Sequence, residues 1–68
     1  MTMQDRQDEV GATLAQIAMI AEDVNVIALA GSGASQTYDK QRAIIADVEL
    51  RLREMLALCD EAHALCSG

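Results

Sequence analysis

The sequence predicts an all-α protein, an antiparallel two-helix hairpin that is completed by association with another chain. Proline is absent and Tyr38 is the single aromatic residue, a composition that favours helices over a sheet. Along two stretches, apolar residues recur at alternating spacings of three and four, as they do on one face of a helix. A chain of only 68 residues usually needs a partner, a metal or disulfides to supplement its core.

The first helix is predicted over residues 3–30. Thr2, followed three residues later by Asp5, resembles a capping box in which aspartate replaces the usual Glu or Gln. Further along, one stripe of apolar side chains marks the face that we expect to pack. Its members are Val10, Leu14, Ile17, Ala21, Val24 and Ala28, widened by Ile20 and Ile27.

Residues 31–37 form the predicted break between the helices. Gly31 can take the left-handed conformation that often ends a helix, and Ser35 or Thr37 can cap the next one. Glycines after an apolar run also resemble a phosphate-binding loop, but Gln36 stands where the third glycine of that motif is required. We therefore interpret the segment as a helix–helix turn.

The second helix is predicted over residues 38–66, and its apolar pattern is broader than that of the first. A regular heptad stripe runs through Ile45, Val48, Leu52, Met55, Cys59, Ala62 and Cys66, flanked by Ile44, Leu56, Leu58 and Leu65. Because the turn is short, the two helices should fold back on each other. The apolar arc is wider than one neighbouring helix can cover, so we expect helices of another chain, in a hetero-complex or a homodimeric four-helix bundle.

Charge and hydropathy limit the partners. The formal net charge is −6, which disfavours nucleic acid and anionic membrane surfaces. Residues 1–9 are too polar for a signal peptide, and the longest uncharged run, residues 24–38, is too short and polar to span a bilayer. We expect a cytoplasmic protein in which Cys59 and Cys66 remain reduced thiols.

No set of side chains predicts catalysis or a bound cofactor. His63 is the only histidine, and no nucleophile, base and acid stand in a recognisable pattern. Cys59, His63 and Cys66 have a spacing that places them on one helix face, and such ligands suit zinc or copper(I). The favoured interpretation is that the two cysteines act as small apolar residues, so we predict no metal site and no enzyme.

The break and the second helix resemble a known family. After Gly31 and Gly33 come Gln36, Thr37 and Tyr38. An apolar residue followed by glutamate, Val48 and Glu49, comes next, with the glutamate eleven residues after the tyrosine. Over residues 31–56 this pattern is similar to that of the small co-chaperones of type III secretion needle proteins, which are helical hairpins. Those proteins have glutamine directly before tyrosine, whereas Thr37 separates the two residues here.

The resemblance implies a cytoplasmic co-chaperone that pairs with a helical-repeat partner and keeps a needle subunit soluble before export. The residues expected to contact a partner form an apolar stripe with a polar rim and an aromatic residue at the turn. They are Ile45, Val48, Leu52, Met55 and Leu56, with Glu49, Arg51 and Arg53 at the rim and Tyr38 at the hairpin end. The alternatives are a homodimeric four-helix-bundle adaptor or regulator and, less favoured, a bundle with a Cys/His metal site.

Overall fold

The computed structural model describes residues 2–33 and 35–67, so that Met1, Ala34 and Gly68 lie outside the described part of the chain. Two helices, α1 (Met3–Gly31) and α2 (Tyr38–Ser67), pack as an antiparallel hairpin, with no strand in the described ranges. The hairpin is 52 Å long and 14 Å wide between Cα atoms. The predicted all-α hairpin is confirmed, and each helix ends within one residue of its expected bounds.

The start of α1 is fixed by the capping box that the sequence predicts. Thr2 Oγ1 accepts a hydrogen bond from the Asp5 backbone N–H at 3.2 Å, and the Asp5 carboxylate accepts one from the Thr2 N–H at 3.5 Å. The same carboxylate lies in the first turn, at the positive end of the helix dipole. Two otherwise unpaired N–H groups are thus satisfied by one pair of side chains.

The prediction that a glycine in the left-handed conformation ends α1 is wrong. No glycine in the described residues has a positive φ, and the Ser32 N–H caps the helix by donating to the Ala28 and Leu29 carbonyls at 3.1 and 3.2 Å. Gly31 serves a different purpose, because an added Cβ would lie 3.0 Å from Cγ2 of Ile44. The missing side chain lets the turn-proximal ends of the helices approach closely.

Thr37 caps the start of α2. Its Oγ1 accepts a hydrogen bond from the Lys40 N–H at 3.3 Å, and its carbonyl accepts one from the Gln41 N–H at 2.9 Å. The Gln41 side chain also donates to the Gly31 carbonyl at 3.1 Å, which ties the two helices together beside the turn. Of the two residues that the sequence offers as caps, Thr37 is thus the one whose side chain bonds the first turn.

We expect Thr37→Ala to lower the free energy of unfolding by about 1 kcal/mol, because the Lys40 N–H loses its side-chain acceptor. Ser35→Ala, two residues earlier in the same turn, serves as the control and should change stability little. Chemical denaturation followed by circular dichroism, at one fixed protein concentration, measures both. Equal losses in the two variants would contradict the assignment of the cap to Thr37.

The helices meet along one row of side chains on each, and no hydrophobic side chain in the described residues is fully buried. Thr13 is the one buried residue of the described ranges, at 8% exposure, and its hydroxyl donates to the Glu9 carbonyl at 3.0 Å. The other contact residues are half-buried. They are Arg6, Val10, Ile17, Ile20, Val24, Ile27 and Gly31 in α1, and Gln41, Ile44, Val48, Arg51, Met55, Leu58, Ala62 and Leu65 in α2.

This contact row corrects the predicted stripe by one residue on each helix. Half of the predicted members face solvent instead, namely Leu14, Ala21 and Ala28 in α1 and Ile45, Leu52, Cys59 and Cys66 in α2. Both stripes share Val48, Met55 and Ala62, so periodicity alone cannot choose between them. The observed row places Ile20, Ile27, Leu58 and Leu65 between the helices, and these side chains remove more apolar area from water than alanine or cysteine would.

Candidate protein-binding face

Contacts between the helices fix which residues lie side by side. Beside the turn, Gly31 abuts Ile44, and at mid-length the Asp23 carboxylate is 3.9 Å from Nη1 of Arg51. Two residues that lie at the same level along the hairpin, one in α1 and one in α2, therefore have residue numbers that add up to about 74. Asp23 and Arg51 are an example. This alignment gives the hairpin two long sides, which differ in charge.

One side, here called the open face, is apolar along its length and has no covering element. All of its residues are exposed, and they include Leu14 at 55%, Ile45 at 56%, Leu52 at 45% and Leu56 at 65%. In the described residues it carries one acid and one base, Glu49 and Arg42. The open face consists of Gly11, Leu14, Ala18, Ala21, Asn25, Ala28 and Ser32 from α1, and Arg42, Ile45, Glu49, Leu52, Leu56, Cys59, His63 and Cys66 from α2.

Grooves run along the open face, and two of them are lined mainly by apolar side chains. The groove beside the turn has a volume of about 460 Å³, and its lining includes Ala28, Ile44, Ile45 and Val48. The groove at the far end has a volume of about 280 Å³. It is lined by Val10, Leu14, Ile17, Cys59, Ala62, His63 and Cys66. Both follow the joint between α1 and α2, so side chains of an apposed helix can enter between the two helices.

The opposite side, here called the acidic face, carries carboxylates beside apolar side chains. Its carboxylates include Glu9, Asp23, Asp47, Glu54 and Glu61, and its bases in the described residues are Lys40 and, reaching over from the contact row, Arg51. A groove on this side is lined partly by Asp23, Glu54 and Glu61 together with Met19 and Leu58. The surplus negative charge of the protein is thus concentrated away from the open face.

Arg51 lies in the contact row and turns towards the acidic face. Its Nε, which is shielded from solvent, is 3.2 Å from Asp47 Oδ1, at an angle that makes this an ion pair without a hydrogen bond. Its Nη1 reaches Asp23 on the other helix at 3.9 Å. The guanidinium is 32% exposed, so these pairs together contribute little beyond ordinary surface ion pairs, but they explain how an arginine fits into an apolar row.

The predicted partner-binding residues fall into three groups. Ile45, Leu52 and Leu56, with Glu49 beside them, lie on the open face, whereas Val48 and Met55 are half-buried in the contact row. Tyr38 is 84% exposed at the turn end. Arg51 belongs to the acidic side, and Arg53 points outward and pairs with Glu49 at 3.8 Å. The hairpin therefore brings part of the predicted set together on one surface.

Sequence reasoning missed the contribution of α1 to this surface. Leu14, Ala18, Ala21 and Ala28 line the open face opposite the α2 residues, although Leu14, Ala21 and Ala28 were expected between the helices. The signal that could have found them is the presence of two adjacent apolar rows on α1, since a hairpin uses only one of them.

The possible Cys/His metal site does not form within one chain. Cys59, His63 and Cys66 are each exposed on the open face. Within residues 2–33 and 35–67, no three His, Cys, Asp or Glu side chains lie close enough to hold a metal ion. Both cysteines are free thiols on this surface.

One helix is long and apolar enough to cross a membrane. In α1 an 18-residue stretch reaches a mean hydropathy of 1.4, and none of its residues is buried within the hairpin. The expectation that no segment spans a bilayer considered only uncharged runs, and it stays a prediction. Soluble helices that are covered by other protein meet the same criterion, and Glu22 and Asp23 lie within α1.

Comparison of the chain with protein-family models, with curated proteins and with solved structures found no match.

Proposed function

We propose that this chain is a non-enzymatic protein-binding module, whose open face covers an apolar helical surface of another protein. The observation that carries the proposal is the combination of an uncovered apolar face with a hairpin that buries no hydrophobic side chain in its described residues. A continuous apolar surface that runs the length of a protein and stays exposed is characteristic of an interaction site. An amphipathic helix laid into the two grooves would be recognised by side chains spaced three and four residues apart.

The more specific proposal is a cytoplasmic co-chaperone of a type III secretion needle subunit, acting with a helical-repeat partner. Its support is the resemblance over residues 31–56 together with the position of the residues that carry it. Tyr38 is exposed at the turn end, and Glu49 lies on the open face beside Ile45. Covering the apolar helix of a subunit on this face would keep the subunit from polymerising before export.

A capture experiment with matched variants tests this proposal. Tagged wild-type protein, Leu52→Asp and Leu50→Asp would be expressed in the native organism, and captured proteins identified by mass spectrometry. Leu52 lies on the open face and Leu50 on the acidic side, and their exposures are similar, 45% and 54%. Partners of the open face should be captured by the wild type and by Leu50→Asp and lost with Leu52→Asp.

The identity of the captured proteins decides between the two levels of the proposal. A small filament subunit together with a helical-repeat protein supports the co-chaperone. Other helical proteins with the same dependence on Leu52 support the binding module and overturn its assignment to secretion. If no foreign protein depends on Leu52, the binding of a foreign helix by this face is overturned.

A further inference from the structure

We infer that in the free protein the open face is covered by a second copy of this chain, in a four-helix bundle whose two-fold axis runs parallel to the helices. This inference rests on the proposed function, because it assigns an occupant to the same face. In such a bundle, α1 of one copy lies against α2 of its partner, and both turns are at the same end. A binding partner would then replace the second copy.

The area of the open face matches what a stable dimer needs. A face 52 Å long and 14 Å wide between Cα atoms has an area of about 730 Å² per copy. Standard protein–protein interfaces bury about 800 Å² on each partner, and side chains extend beyond the Cα outline. The open face can therefore form an interface of ordinary size without any further element.

Charge decides which side a second copy can cover. Two copies with a net charge of −6 each repel one another, and the repulsion is strongest where carboxylates face carboxylates. Joining two acidic faces would oppose five carboxylates of each copy, offset only by Lys40 and by Arg51 at the edge. Joining two open faces brings together only Glu49 and Arg42 from each copy, so the assembly has no charge surplus at its interface.

The sizes of the facing side chains decide the direction of the axis. On the outer row of the open face, each α1 residue is smaller than the α2 residue at the same level. Gly11 is level with His63, Ala18 with Leu56, and Asn25 with Glu49. Because the axis is parallel to the helices, each α1 residue meets the α2 residue of the same level in the partner copy, and large side chains fill the space beside small ones.

The inner row of the open face also places large residues beside small ones, although Leu14 of α1 is there the larger partner of Cys59. Ala28 is level with Ile45, and Ala21 is level with Leu52. A two-fold axis perpendicular to the helices would instead place α1 on α1 and α2 on α2. Small residues would then face small ones and leave voids, while Leu52 and Leu56 would crowd the middle of the α2 pair.

Disulfide trapping in a background without native cysteines (Cys59→Ala, Cys66→Ala) tests this arrangement. Ala18 and Leu56 lie on the outer edges of one hairpin, so cysteines at these positions are too far apart to pair within one chain but face each other between copies. We expect the double variant A18C/L56C to form a covalent dimer under mild oxidation, and neither single variant to do so. The control V26C/L50C places the pair on the acidic side and should remain uncrosslinked.

Each other outcome overturns the inference. Residue 18 is near the middle of α1, so a covalent dimer of A18C alone would indicate the perpendicular axis. Crosslinking of V26C/L50C would move the interface to the acidic face. A monomer by sedimentation equilibrium, or a sedimenting dimer that A18C/L56C does not trap, would exclude the proposed bundle. If foreign partners still depend on Leu52 in the capture experiment, the proposed function stands although the inference has failed.

Discussion

Leu52→Asp is expected to abolish association through the open face. Leu52 is 45% exposed in the hairpin and lies midway along that face, so a partner that covers the face buries it. Loss of one leucine from an interface removes about 1.5–3 kcal/mol, and the aspartate adds an uncompensated charge. In a two-fold dimer the substitution counts twice, so we expect the dissociation constant to rise by about 100-fold or more.

Leu50→Asp is the matched control. It makes the same chemical change two residues away in the same helix, at a side chain that is 54% exposed on the other side of the hairpin. Both variants lower helix propensity equally. A difference in association between them is therefore due to the face on which each residue lies. Sedimentation equilibrium should give a monomer for Leu52→Asp and wild-type association for Leu50→Asp. Equal association of the two variants would exclude the open face as the surface through which the chains associate.

Thermal stability is expected to depend strongly on protein concentration. No hydrophobic side chain in the described residues is fully buried by the hairpin alone, so folding should be coupled to covering the open face. A 100-fold rise in concentration adds about 2.7 kcal/mol to the stability of a dimer. For a bundle of two 68-residue chains, this raises Tm by roughly 10 °C.

Circular dichroism melts from low micromolar to high micromolar concentration would measure this shift. Leu50→Asp should show the same slope of Tm against concentration as the wild type. Leu52→Asp should melt at a lower temperature that does not change with concentration. A wild-type Tm that is independent of concentration would mean that the single hairpin is stable with its apolar face in water.

The elements of the fold could be predicted because their signals are local. Thr2 and Asp5 form the predicted capping box, and the break after residue 30 separates two helices whose bounds differ from the prediction by one residue at most. A cap or a turn depends on residues only a few positions apart. Gly31 was misinterpreted because its importance is a contact with Ile44, a residue of the other helix.

The choice of contact row could not be predicted from periodicity. Two heptad rows, offset by one residue, run along each helix, and on α2 the row with Leu52 is more uniformly apolar than the row with Arg51. Arg51 nevertheless lies between the helices, because its charged end reaches Asp23 and Asp47 at the edge. An ion pair between two helices is a relation that a single helical stripe does not contain.

The candidate site was predicted in part for the same reason. The excess of apolar surface on α2 is a property of the sequence, and it correctly indicates a surface beyond the hairpin contact that includes Ile45, Leu52 and Leu56. The share of α1 in that surface follows only from its pairing with α2. Arg51 was expected beside it but turns to the opposite side, and Arg53 reaches only its edge, where it pairs with Glu49. The reason is that an offset of one residue in the contact row rotates the other rows of the helix with it.

The sequence by itself determined that this protein forms two amphipathic helices, where they begin and end, and that they carry more apolar surface than a hairpin can cover. Those properties depend on composition and on spacings within one helix. Only the tertiary structure decided which apolar row the hairpin uses, which row stays open, and on which side the carboxylates collect. The physical reason is that two overlapping rows satisfy the same period, and the choice depends on the side chains that the opposite helix presents.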